Sequence, residues 1–413
     1  MSIKISKSRI INNIEFNPRI MYQINEANSK FKSKNFINSE YFEFMEIASN
    51  FNSKKIDEII SCLEQILMNK TQTLVVYSNS RVEKSVNTIK KYIYSKSKQW
   101  FNSPIEIIFL NSDEDYDSFE HKLNFILNKV SKFSFIIIKN DFDLYENVKR
   151  FKSFLSLFID KLGFEYFGQN SYLFLPSNST KFINEFSLNS KYISLISTKL
   201  SQNLFYFSEF MLLLFAFAGV DIYEFIKGYK NSFMLSNEEF DNNTPLQIAS
   251  QLHFNLTKKD EFNFIFFAFN SPSLDLIIND FIRNLNFIDP KNFFDKFEIP
   301  GNIYKNYQMF LETDKNKAVI FYNLQNEKID YQTSPEVDYD FMDQSIIINS
   351  LNQLNFDISN LFIDSLSFDN SYTQSLSVEI PKNDHYYLGY LLCLNSLILV
   401  YYSIFNNVSA FKK

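Results

Sequence analysis

The stretch SFIIIKNDFDLYENVKRFKSFLSLFIDKL, Ser134 to Leu162, changes its apolar period halfway along. Ser134–Ile138 is a continuous apolar run. From Tyr145 onward, Val148, Phe151, Phe154, Leu155, Phe158, Ile159 and Leu162 recur at helical spacing. The first pattern suits a strand buried on both faces, the second a helix with one apolar stripe. Together they make one βα unit.

The unit repeats. Thr73–Tyr77, Ile105–Leu110, Ser171–Leu175 and Tyr192–Ser197 read as further buried strands separated by helical segments. Later, Phe262–Phe269 and Ser375–Ile380 read as strands, with helices near 273–285, 341–354 and 387–404. Such alternation predicts an α/β fold of doubly wound, mainly parallel sheets. For 413 residues it predicts two domains. We place a basic N-terminal arm and lead-in at 1–50, a first domain at 51–200, and a second at 201–413 that ends in a long helix.

Composition narrows the class. The chain carries 48 Phe and 24 Tyr but six Gly. We read the Phe, Asn and Lys content as drift toward AT-rich codons, so single residues of these types carry little weight. The net charge of −6 argues against a nucleic-acid partner. Residues 1–35 hold seven basic residues against Glu15 and Glu26, a net of +5 that leaves −11 for the remainder. A solvated arm is the plain reading of this segment; a docking element for an acidic partner is the other. Cys62 and Cys393 have no metal-ligand spacing and cannot form a disulfide framework. The start shows no signal-peptide pattern. Phe210–Val220 and Tyr386–Phe405 approach the length of a membrane span and read as core helices. A cytoplasmic protein without a membrane span is expected. The acidic run Asp113, Glu114, Asp115, Asp117, Glu120 precedes a helix, where carboxylates cap free N–H groups; no converging metal ligands accompany it.

Two of the six glycines, Gly219 and Gly228, fall within FMLLLFAFAGVDIYEFIKGYKN, Phe210–Asn231. This segment resembles the glucose-6-phosphate isomerase family, in which an apolar helix ends at a glycine and a short second helix ends at another. On that resemblance both glycines terminate helices. VEIPKNDHYYLGYLL (Val378–Leu392), the terminal VSAFKK, FSFIIIKNDFDLYENVKRF (Phe133–Phe151) and IPGNIYKNYQMFLE (Ile299–Glu312) resemble further segments of the family. They occur in the family's order from about residue 70 onward. The resemblance implies two sugar-isomerase (SIS)-type domains with a dimeric active site between them, and interconversion of aldose and ketose phosphates. It implies a lysine and a histidine for ring opening, a glutamate base, an enediolate-stabilising arginine, and hydroxyl and N–H groups that hold phosphate.

The matching positions depart from this chemistry. The family's glycine-rich turn falls on Tyr77–Arg81, and its phosphate loop on Lys139, Asn140, Asp141, Phe142, Asp143, Leu144, Tyr145 and Glu146, of which only Glu146 agrees. Asp141 and Asp143 would repel a phosphate dianion. The arginine position is Asn203, the base position Phe287 with Asp289 the nearest carboxylate, and the two histidine positions are Tyr304 and Phe368. Gln308 and Lys412 survive in register. His121, His253 and His385 match no catalytic position. No catalytic, substrate-binding or metal residues are therefore expected, with Glu146, Gln308 and Lys412 as residual matches, and no cofactor. The expected function is a catalytically inactive isomerase-like subunit of a larger protein hetero-complex, with the basic arm as a contact element. An active or weakened isomerase and a non-catalytic sugar-phosphate binder are the alternatives, and a homodimer is compatible with all three.

Overall fold

The computed structural model describes residues 3–6, 17–43, 53–94, 105–129, 131–138, 145–176, 192–196, 205–256, 263–302, 317–327, 350–369 and 373–409. The chain divides into two compact units. One comprises residues 40–90 and 99–223; the other comprises 1–39, 91–98 and 224–412. Each unit contains one five-stranded sheet.

In the first unit, β2 (Thr73–Ser78), β3 (Glu106–Asn111), β4 (Phe133–Ile138), β5 (Ser171–Pro176) and β6 (Tyr192–Ile196) are all parallel, in the order β3-β2-β4-β5-β6. The intervening helices are α2 (Ser53–Met68), α3 (Ser80–Tyr94, up to Lys90 in this unit), α4 (Tyr116–Asn128), α5 (Tyr145–Leu162), α6 (Phe164–Gln169) and α7 (Glu209–Phe217). Alternate strand residues Val75 and Tyr77, Phe133, Phe135 and Ile137, and Leu173 and Leu175 pack on Phe119 and Leu123 of α4 and on Phe154 and Phe158 of α5. From Phe151 onward the predicted stripe on Tyr145–Leu162 is thus the one the sheet uses. Glu209 of α7 is held by Lys55 of α2 at 3.2 Å and by the Ser194 hydroxyl at 2.6 Å.

In the second unit, the described strands are β1 (Lys4–Ser6), β7 (Phe264–Phe269), β8 (Phe293–Glu298), β9 (Lys317–Asn326) and β10 (Thr373–Lys382), in the order β1-β10-β9-β7-β8. Only the β1–β10 pair is antiparallel. Its helices are α1 (Pro18–Lys32), α8 (Ile222–Leu235, from Glu224 onward in this unit), α9 (Thr244–Gln251), α10 (Asp275–Ile288), α11 (Leu351–Asp369) and α12 (His385–Asn406). One sheet face packs Phe266, Phe321 and Phe297 on Phe362 of α11. On the other, the ring of Phe267 meets Phe281 of α10 at 5.5 Å, and Tyr322 donates to Asn395 of α12. The helix α12 is apolar and long enough to cross a membrane, yet 89% of its most apolar window is buried inside the protein.

Several expectations change. The described parts of the segment expected as a basic arm are folded: Lys4–Ser6 joins a sheet edge, and α1 buries Ile24, Ala27, Asn28 and Phe31. Arg19, Lys30 and Lys32 lie on this amphipathic helix, so segment charge gave no measure of solvation. The change of unit falls at Tyr223, against an expected change near residue 200, because α7 joins α2. The helix expected at 341–354 is described from Leu351 and runs to Asp369.

Gly219 ends α7 as expected. Its φ is 82°, and the bonds from Gly219 N–H to Ala216 O and Val220 N–H to Phe215 O, each 2.9 Å, form a Schellman cap. Gly228 does not end a helix; it lies in the interior of α8. A Cβ there would sit 1.9 Å from Tyr386 O, and one on Gly389 would sit 2.0 Å from Phe225 O. The two glycines face each other so that α8 and α12 touch backbone to backbone.

Candidate functional site

The two sheets share the order of four parallel strands and differ in the fifth, parallel β6 in one and antiparallel β1 in the other. Strand order reverses between β2 and β4 in the first and between β7 and β9 in the second. In open α/β sheets the ligand crevice lies at the carboxyl ends of the strands flanking such a reversal. The positions matched to the glycine-rich turn run from the end of β2 into the start of α3, at the carboxyl end of that strand. Residues 139–144 lie outside the described residues, and Glu146 stands in the first turn of α5 with its side chain also outside them.

On the β2 side the protein's own groups fill the place where an anion would bind. Tyr77 is a strand residue, not part of a turn; its ring is 5.1 Å from Phe151 and 5.2 Å from Phe154 in the core. After the strand, the Asn79 side chain accepts from Val82 N–H at 3.2 Å. Asp113, from the loop after β3, accepts from Ser80 N–H at 2.6 Å and from the Ser80 hydroxyl at 2.7 Å. A helix N-terminus presents free N–H groups and the positive end of its dipole, which suits phosphate. Here a carboxylate on the same chain takes that position on α3. Glu83, in the first turn of α3, accepts from the Asn111 side chain.

The loop that delivers Asp113 is pinned from three sides. Arg150 of α5 donates to Ser112 O at 2.9 Å and also to Glu114 O. Lys122 holds the Glu114 carboxylate at 2.5 Å, and Asn111 N–H donates to Glu114 at 3.3 Å. Asp115 caps α4 by accepting from Ser118 N–H at 2.8 Å, which holds its carboxyl below the usual carboxylate range. The acidic run caps helices as expected, but it caps two of them. Among the described residues no group of three His, Cys, Asp or Glu could hold a metal ion.

The second crevice is also polar and internally bonded. Asn270, following β7, donates to Leu324 O at 2.9 Å and accepts from Leu324 N–H at 2.8 Å, extending the link to β9 beyond the ladder. Ser271 donates to Glu327 and lies 2.7 Å from the Ser273 hydroxyl. Asn270, Ser271 and Ser273 are buried. At the start of α10, Asp275 accepts from Lys296 and, at 2.5 Å, from Lys91, which belongs to this unit. Burial alone would raise the Asp275 carboxyl, but the two ammonium groups outweigh it and leave it below its ordinary value.

The carboxylate nearest the expected base position is at the wrong end. Asp289 follows α10, which runs from the carboxyl end of β7 back toward the amino end of β8. There Asp289 accepts from Tyr402 OH at 2.6 Å and from Asn292 at 2.7 Å, and Asn292 in turn accepts from Asn263, which immediately precedes β7. Phe287 is on the same last turn and half exposed. Neither residue reaches the crevice. Gln308, Lys412, Asn203 and Tyr304 lie outside the described residues, and Phe368 lies on α11 with its side chain outside them. His253 stacks on Phe405 at 5.3 Å, while His121 lies on α4 and His385 opens α12.

Sequence reasoning missed the roles of Asp113, Arg150, Asn270, Ser271 and Glu327. The available signals were short: Asn-Ser-Asp after one apolar strand and Asn-Ser-Pro-Ser after another, both helix-start chemistry in the right place.

No family model and no curated protein matches the chain. Solved structures do. The hypothetical protein TT0462 from Thermus thermophilus superposes with a TM-score of 0.76 at 14% identity, over 100% of this chain and 96% of that one. A glucose-6-phosphate isomerase from Chlamydia trachomatis superposes with a TM-score of 0.62 at 11% identity, over 87% of this chain and 71% of that one. At these identities the likeness is one of fold: two parallel-sheet α/β domains of the phosphosugar-isomerase (SIS) type.

Proposed function

We propose that this chain is a catalytically inactive relative of the glucose-6-phosphate isomerases that works in the cytoplasm as an interaction subunit of a larger protein assembly. The observation that carries the reading is Asp113 on the N-terminus of α3. A phosphate arriving there would have to displace a tethered carboxylate held by two hydrogen bonds, from a loop that Arg150 and Lys122 brace. The matching positions supply no base, no arginine and no histidine. Loss of one such group reduces turnover by roughly 10²- to 10⁴-fold. The order of family segments and the Schellman cap at Gly219 support common ancestry with the isomerases. The subunit role follows from a retained scaffold without its chemistry.

The test is a coupled assay: purified protein with glucose 6-phosphate and an enzymatic readout of fructose 6-phosphate. The expected result is a rate equal to the blank. Turnover above it would replace this reading with that of a working isomerase.

A further inference from the structure

Lys70, Lys129, Lys132 and Lys161 meet at the amino ends of the first sheet's strands, the end away from the crevice. Hydrogen bonds place them there. Lys132 O accepts from Gln72 N–H at 2.9 Å and from Thr73 N–H at 3.1 Å, just past Lys70. Lys161 Nζ donates to Lys129 O at 3.2 Å and lies 5.6 Å from the Phe133 ring. The carboxylates bonded at this end, among the described residues, are Glu106, which holds Lys129, and Glu165, which accepts from Gln169. Lys129 and Lys161 stand at the C-terminal ends of α4 and α5, and Lys70 just past α2, where cations offset the helix dipole. Lys132 leads into β4 and ends no helix, so the dipole does not account for it.

Lys132 lines an open cavity of about 510 Å³ with Asn69, Tyr166, Gln169 and Asn170. The Tyr166 hydroxyl accepts from Phe133 N–H and donates to Phe133 O, each at 3.2 Å, which ties one wall to β4. Asn69 donates to the Asn170 side chain at 3.1 Å, and Asn170 donates to Tyr166 O at 2.9 Å. Among the described residues these bonds leave Asn69 Oδ1, Gln169 Oε1 and Lys132 Nζ unspent. Two acceptors beside an ammonium fit a ligand that brings N–H donors and a carboxylate together. A phosphate dianion brings the charge with at most one donor. An extended acidic peptide brings both, and Met68, exposed and next in the chain to Asn69, offers an apolar contact for one of its side chains. On the reading of this chain as an interaction subunit, we propose that the amino end of the first sheet docks an extended segment of a partner protein rich in glutamate or aspartate. A carboxylate of that segment pairs with Lys132, and its peptide N–H groups donate to Asn69 and Gln169.

The experiment titrates full-length protein into a fluorescein-labelled decapeptide of alternating glutamate and alanine and follows fluorescence anisotropy. Saturable binding is expected. Lys132→Glu should weaken it at least about tenfold, Gln169→Leu should weaken it severalfold, and rising salt should weaken it as well. Lys54→Glu, the same charge change at the far end of α2, should leave it unchanged. All three side chains are exposed, so the substitutions leave the core intact. Absence of saturable binding overturns the proposal, as does binding that either Lys132→Glu or Gln169→Leu leaves unchanged. Displacement by millimolar inorganic phosphate as readily as by unlabelled peptide marks a simple anion site and overturns it too. Turnover in the coupled isomerase assay would remove the inactive reading without altering this result, and absence of peptide binding would leave the blank rate of that assay as it is.

Discussion

Gly228 and Gly389 lose more to a methyl group than Gly219 does. At Gly219 the penalty is conformational, a side chain forced to φ 82°, and is about 1–2 kcal/mol. At Gly228 and Gly389 a Cβ would overlap a backbone carbonyl of the facing helix, which no rotamer change relieves. Gly228→Ala and Gly389→Ala should each lower stability by about 3 kcal/mol or more, and Gly219→Ala by less, in denaturant unfolding of the three variants. Asp275 carries a pH prediction. Its folded-state pKa is depressed, so its ion pairs stabilise the protein above the unfolded-state value of roughly 3.9 and lose that contribution as pH falls through the lower folded value. Asp275→Asn should cost about 1 kcal/mol near neutral pH, the low end for bonds to charged groups because the carboxylate is partly solvated. The difference from the parent should shrink as pH falls and vanish in acid below the folded-state value. A gap that persists in acid would mean that Asp275 acts through packing rather than charge.

Element by element, α1 shows where sequence reading fell short. Its Phe31 ring stacks on Tyr401 of α12 at 4.5 Å, and Asn28 accepts from Tyr401 OH at 3.2 Å. Phe31→Ala should therefore lower stability by about 3–5 kcal/mol, and removal of residues 1–35 should destabilise the second unit rather than free a tail. Retention of the parent melting temperature by the truncated protein would contradict this placement. The net charge of that segment hid an apolar stripe of Ile24, Ala27 and Phe31. Strands β8 and β9 were also illegible. In FFDKFE, Asp295 and Lys296 interrupt the apolar run because β8 is an edge strand, and in β9 the run ends in Asn-Leu-Gln-Asn. There Asn323 accepts from the Ser359 hydroxyl, so amides serve a buried network instead of marking a loop. The continuous runs of β2, β4 and β5 were legible for the opposite reason: strands in the middle of a parallel sheet are apolar on both faces, and no polar task interrupts them.

For the whole molecule, the doubly wound architecture could be read from alternation, but the content of the crevices could not. Family positions told which groups were missing. They did not tell that a carboxylate 33 residues along the chain occupies the N-terminus of α3, because that is a contact between loops and carries no periodic signature. The misplacement of Phe287 and Asp289 has a related cause: a helix of 14 residues carries its two ends to opposite ends of the sheet, so a small shift in alignment moves a residue out of reach of the crevice. The central claim is that the α3 crevice is filled by Asp113 and takes no sugar phosphate. A thermal-shift titration with a phosphorylated aldonate, a mimic of the enediolate, tests it most directly. Occupancy at 100 times Kd would add about 2.7 kcal/mol to the folded state and raise the melting temperature by a readily measured amount. No shift is expected up to millimolar ligand; a saturable rise in melting temperature would contradict a crevice closed by Asp113.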